Sequence, residues 1–91
     1  MNRKFEHISE MEKIFDSIIQ MQRAFEKVLE EYMQVQEDVK KLEAYYTSPQ
    51  WKADFEMDER GEIPNVIKRG VLSEDGIYDM LERNKEIMDM L

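Results

Sequence analysis

From Phe5 onward, apolar residues recur at spacings of three and four: Ile8, Met11, Phe15, Ile18, Phe25, Leu29 and Tyr32, with Gln22 the one interruption. That is the spacing of a heptad seam along an α-helix. A second stripe, Ile14, Met21, Val28, Val35 and Leu42, returns every seven residues beside the first, and Val39 and Tyr46 carry it to the end of the run. Two adjacent stripes make a wide apolar face, which suits a bundle helix with two neighbours better than a simple two-stranded coiled coil. Charges at helical spacing fill the remaining rows, among them Glu26 with Glu30, Lys27 with Glu31 and Glu37 with Lys41.

Nothing interrupts this helix before residue 49. All the glycines and prolines, Pro49, Gly61, Pro64, Gly70 and Gly76, fall between positions 49 and 76. The pattern therefore predicts an all-α chain with one long helix over about residues 3–46, on the order of 65 Å long. Ser48 followed by Pro49 reads as an N-cap with proline at the first helical position, opening a short helix over about 49–60 that Gly61 ends. A Gly/Pro-rich turn follows, with one further helical turn expected over Pro64 to Lys68, closed by Gly70. Ser73, backed by Glu74 and Asp75, caps a last helix over about 74–90. Its expected buried side is Ile77, Met80 or Leu81, Asn84, Ile87 or Met88, and Leu91, packing back on the long helix.

Ninety-one residues form one domain, 1–91, with a modest core that gains from association. The second and third helices are too short to cover the first even end to end. The expectation is a helical-bundle homodimer built on the long helix, with Ile8, Met11, Phe15, Ile18, Phe25, Leu29 and Tyr32 at its interface.

Composition narrows the functions. Hydrophobic residues make up 42% and charged residues 37%, with no apolar run long enough to span a bilayer. The opening Met1-Asn2-Arg3-Lys4 is followed by Glu6, His7, Ser9 and Glu10 where a secretory signal needs an apolar core, so a cytoplasmic protein without a membrane role is expected. The absence of cysteine removes disulfides, thiolate nucleophiles and cysteine-based zinc sites. The net charge of −8 is spread along the chain: ten acids against seven bases in 1–46, five against two in 47–64, six against four in 65–91. No basic face of the kind that binds nucleic acid directly is in evidence.

Chemistry that tempts does not assemble. Asp54-x-Glu56-x-Asp58 starts like a calcium loop, yet Glu59 stands where glycine is needed and Asn65 where a bidentate glutamate is needed. The expected role for Asp54 is capping or pairing with Lys68 or Arg69. His7 is the lone histidine, and Lys4 precedes it by three where a di-iron bundle needs glutamate. Eight methionines without a neighbouring cysteine or histidine read as core and interface filler, the alternative being an adaptable surface, chiefly at Met80, Met88 and Met90. Ser48 and Ser73 are better used as caps than as nucleophiles. No catalytic residue, metal or cofactor is assigned.

Between 45 and 79 the residues become specific: Tyr45-Tyr46-x-Ser48-x-x-Trp51-x-x-Asp54-Phe55-Glu56, then Asp58-Glu59-x-Gly61-x-Ile63-Pro64, Lys68-Arg69-Gly70-Val71-Leu72-Ser73-Glu74-Asp75 and Ile77-Tyr78-Asp79. This block, after a long helix in a chain of this length, resembles a bacterial family of short helical proteins known as domain of unknown function 4298. The resemblance implies an all-helical fold and carries over no activity, substrate, cofactor or catalytic residue. Read physically, Trp51, Tyr45, Tyr46, Phe55 and Tyr78 are a satellite core that pins the turn to the long helix. The functional alternative is an aromatic recognition pocket of Tyr45, Tyr46, Trp51 and Tyr78 with Lys68 and Arg69 at its rim, fit for a small molecule or anion near the Ser73 cap. Three functions thus stand: a non-enzymatic interaction or scaffold module that self-associates and engages a protein partner, an acidic inhibitor mimicking nucleic acid in a basic groove, and a small-molecule or anion binder.

Overall fold

The computed structural model describes residues 3–91, and all regular structure among them is helical. Met1 and Asn2, the first residues of the stretch weighed above for a targeting signal, lie outside the described residues. A 3-10 turn at Arg3–Phe5 leads into α1, Glu6–Tyr46; α2 is Pro49–Glu59; a second 3-10 turn, Gly70–Leu72, precedes α3, Glu74–Asp89. The chain divides into two compact units, one ending at Gln36 and the other running from Glu37 to Leu91.

The first unit is helical throughout its described residues, 3–36. Its apolar stripes are the longest uncovered feature of the described chain: Phe5, Ile8, Met11, Ile14, Phe15, Ile18, Met21, Phe25, Val28, Met33 and Val35 are between 40% and 68% exposed. Of the seam residues only Leu29 and Tyr32 are half-buried. As the shortness of α2 and α3 leads one to expect, the single chain leaves this face open, and no described residue of the unit is buried.

The second unit contains the core. Trp51, Leu72, Ile77 and Leu81 are buried, and Val39, Tyr45, Tyr46, Phe55, Ile63, Val71 and Met80 pack against them. The expected packing of α3 back on the long helix is corrected to this extent: α3 lies against the second 3-10 turn, and α1 contributes to the core only through Val39, Tyr45 and Tyr46 in its last turns. At roughly 1.5–3 kcal/mol for a fully buried large apolar side chain, four such residues make a small core, as a unit of this length allows.

Local chemistry fixes each helix end. The Ser48 hydroxyl accepts from the Trp51 amide at 3.3 Å and donates to the Tyr45 carbonyl at 2.6 Å, so one side chain closes α1 and opens α2. Pro49 follows at the first helical position, where a missing N–H costs nothing. Gly61, with φ of 70°, ends α2: its amide bonds the Asp58 carbonyl and that of Glu62 bonds Met57, the paired closure of a Schellman motif. Ser73 caps α3 by accepting from the Gly76 amide at 3.1 Å, with Glu74 and Asp75 in the positive first turn.

Three local expectations change. Gly70 opens the second 3-10 turn instead of closing the one before it, since the turn after Pro64 is a single Ile67-to-Pro64 hydrogen bond at 3.0 Å. On α3, Ile77 and Leu81 are buried and Met80, Asn84, Ile87 and Met88 half-buried, but Leu91 lies past the helix end and is exposed. Tyr78, one residue beyond Ile77 and so about 100° round the helix from it, is 52% exposed.

Candidate functional site

The segment between α1 and α3 is built around Trp51. Its ring meets Tyr46 edge-on at 4.9 Å and 83°, and stacks on Phe55 at 5.1 Å and 17°. Phe55 lies four residues on, one turn along α2, so the helix itself places the two rings together. The indole N–H donates to the Val71 carbonyl at 3.0 Å, which satisfies the one polar atom Trp51 carries into the core. That bond joins α2 to the 3-10 turn across twenty residues of sequence.

Beside this stack run two polar ties. The Tyr45 hydroxyl donates to Asp54 Oδ2 at 2.6 Å, and Gln50 Nε2 donates to Asp54 Oδ1 at 2.9 Å. Burial, followed by the hydrogen bond to the Asp54 carboxylate, pushes the Tyr45 pKa up to about 12. Donation from Tyr45, then from Gln50, holds Asp54 below its usual range. Farther along α2, Arg69 Nη1 meets Asp58 Oδ1 at 2.9 Å, with both side chains about two-thirds buried. The pairing expected between Asp54 and Lys68 or Arg69 is thereby corrected: Asp54 faces Tyr45 and Gln50, and Arg69 reaches the carboxylate one turn later.

These ties frame a cavity of about 310 Å³. Its walls are mostly apolar, from Met57, Ile63, Pro64, Ile67, Val71 and Leu72, with Tyr45, Asp54, Glu62, Lys68 and Arg69 at its edges. Most of its polar groups are already engaged: Tyr45 with Asp54, Arg69 with Asp58, and Glu62 with Arg60 at 2.9 Å. Among the described residues, Lys68 has no hydrogen bond or ion pair, unlike Arg60 and Arg69 beside it. What the site can do chemically is hold an apolar body and offer one ammonium. No serine, threonine or histidine is among the residues that line the cavity.

The structure brings together part of the site read from sequence. Tyr45, Lys68 and Arg69 line the cavity. Tyr46 and Trp51 belong to the aromatic stack behind it. Tyr78 joins neither, being exposed on the outer side of α3. The polar partners Asp54 and Asp58 and the apolar walls Ile63 and Ile67 were not singled out as site residues. The one signal available for Asp58 was its position a helical turn beyond Asp54, on the face that looks toward the returning chain.

The family described as Domain of unknown function (DUF4298) matches residues 8–91. The match spans nearly the whole chain, and the protein belongs to that family. No curated protein and no solved structure matches it.

Proposed function

We propose that the protein is a non-enzymatic helical interaction module that self-associates through the open face of α1 and carries a folded aromatic clasp in its C-terminal unit. One observation supports this above the rest: ten large apolar side chains from Ile8 to Val35 lie exposed on α1, with Phe5 exposed in the turn before it. An apolar surface of that extent marks an interaction site in a water-exposed protein. An isolated helix is also marginal in water without tertiary packing, so α1 itself gains from being covered. Ile8, Met11, Phe15, Ile18, Phe25, Leu29 and Tyr32 are the contact residues in this reading. The reading carries no cofactor and no catalytic step, and places the module in the cytoplasm as a partner of proteins and not of nucleic acid; no helix among the described residues is long and apolar enough to cross a membrane. Light-scattering chromatography tests it, with Phe15→Glu and Phe25→Glu expected to abolish association while leaving the clasp folded. A wild-type chain that stays monomeric at hundreds of micromolar would refute it.

A second reading, binding of a small apolar anion, is favoured by the cavity with Lys68 at its edge. Ligand should change Trp51 fluorescence, since Val71 accepts the Trp51 hydrogen bond and also lines the cavity. A flat Trp51 signal across a panel of apolar carboxylates would remove it. The nucleic-acid mimic has less support, because Lys13, Lys27 and Lys41 recur at intervals of fourteen and break up an acidic stripe on α1.

A further inference from the structure

We infer that the cavity beside the aromatic stack takes a straight-chain monocarboxylate, with the chain between its aliphatic walls and the carboxylate on Lys68; the inference deepens the anion-binding reading of the same cavity and rests on it. The walls set the shape of the apolar body. Met57, Ile63, Pro64, Ile67, Val71 and Leu72 present aliphatic groups and one thioether, and the only aromatic ring among the lining residues is that of Tyr45, at the edge. The rings of Tyr46, Trp51 and Phe55 are packed on one another behind it. A flat aromatic ligand finds no aromatic wall to stack on, whereas an unbranched chain conforms to uneven aliphatic walls and to the flexible Met57 side chain. Ile67 is 52% exposed and Met57 37%, so such a chain also covers apolar surface that the fold leaves open to water.

The volume sets the length. A cavity of about 150 Å³ holds benzene. At about 310 Å³ this one has twice that room, which suits a body on the order of ten carbons.

The charges at the edge set the head. Arg69 is paired with Asp58 and Glu62 with Arg60, each at 2.9 Å. That leaves Lys68, which has no hydrogen bond or ion pair among the described residues, and Asp54, whose two oxygens accept from the neutral donors Tyr45 and Gln50. The same two bonds hold Asp54 below its usual range, so it stays ionised at neutral pH. Lys68 and Asp54 together leave the edge electrically neutral. A carboxylate on the Lys68 ammonium makes one charge-assisted hydrogen bond and keeps its other oxygen in water. A phosphate head carries about −1.5 to −2 charges; its second charge gains nothing from a neutral edge on a chain of net charge −8, and it gives up more hydration.

Calorimetric titration of the full chain with decanoate, 2-naphthoate and decyl phosphate, each below its micellar concentration, tests this together with amide chemical-shift mapping. Decanoate is expected to bind one per chain, to shift amides between residues 54 and 72, and to bind several-fold more tightly than the other two. Lys68→Met, which keeps the aliphatic stem and removes the charge, is expected to weaken decanoate roughly tenfold or more with the melting temperature unchanged. Naphthoate or decyl phosphate binding in the cavity as tightly as decanoate overturns the straight-chain monocarboxylate and leaves the anion-binding reading standing. Decanoate affinity unaltered in Lys68→Met overturns both. Shifts confined to residues 5–35, or no binding by any of the three, also overturn both.

Discussion

The Trp51 indole N–H donates to the Val71 carbonyl at 3.0 Å, tying the first turn of α2 to the 3-10 turn that precedes α3. Around that bond the second unit organises its core, with Tyr46 and Phe55 on the indole ring and Leu72, Ile77 and Leu81 beneath. Trp51→Phe keeps an aromatic ring but strands the Val71 carbonyl, and should cost roughly 1–3 kcal/mol. Trp51→Ala should cost roughly 3–5 kcal/mol and unfold a unit this small. Urea melts followed by circular dichroism check both; a Trp51→Phe variant as stable as the parent would show that the bond contributes nothing.

The tie between Tyr45 and Asp54 makes the clasp sensitive to pH at both ends. Tyr45 has a folded pKa of about 12 against 10.0 for the free group, so its contribution is complete below pH 10 and disappears as pH rises through about 12. Asp54 is depressed below 3.8, so its contribution is present above that value and disappears as pH falls through the lower folded value. Stability should be flat between these limits. Tyr45→Phe should lower the melting temperature by a few degrees on the plateau and remove the Tyr45-dependent alkaline loss, as read from thermal melts at a series of pH values. An unchanged alkaline limb in Tyr45→Phe would assign that limb to another group.

Two neighbouring glycines should respond in opposite directions. Gly61 sits at φ 70°, where a Cβ is strained, and Gly61→Ala should cost about 1 kcal/mol and fray the end of α2. Gly70 has neither a positive φ nor any atom within 4 Å of an added Cβ. Gly70→Ala should therefore be neutral or stabilising by roughly 0.4–1 kcal/mol, through a less flexible unfolded chain. Paired denaturation curves settle the contrast.

Lys68 and Arg69 are adjacent but do different jobs. Arg69→Ala removes a partner of Asp58 that is about two-thirds buried and should destabilise by roughly 1 kcal/mol. Lys68→Ala should leave stability unchanged, while abolishing any binding of apolar anions in the cavity. A Lys68→Ala variant that melts like Arg69→Ala would mean that Lys68 has a structural role.

Much of this architecture could be read from the chain because its signals are local. Ser48-Pro49, Gly61 and Ser73 act on backbone groups within a few residues, so the C-terminal end of α1 and both ends of α2 and α3 fell within a residue of expectation. The site was less legible, because its geometry depends on rotation about α2 and α3 and on a return path without periodicity. Tyr78 has the same composition signal as Tyr45, yet the heptad phase of α3 turns it outward beside the buried Ile77. Asp54 and Asp58 look alike in sequence, and only the path through Pro64 and Ile67 decides which one Arg69 meets. The open face of α1 was legible as a pattern; what covers it is not encoded at short range.

Dilution offers a further check on that face. Residues 5–35 should lose helicity as the protein dissociates, because a lone helix is marginal in water, whereas the Trp51 signal of the clasp should stay constant. Helicity and fluorescence falling together on dilution would instead mean that the clasp also depends on association.

The most direct test of the self-association claim is the solution mass, measured by light scattering from micromolar to hundreds of micromolar at low and high salt. A mass of twice the 11.0 kDa chain, insensitive to salt because the contact is apolar and lost in Phe25→Glu, is the predicted result. A mass of one chain across the whole range would contradict it.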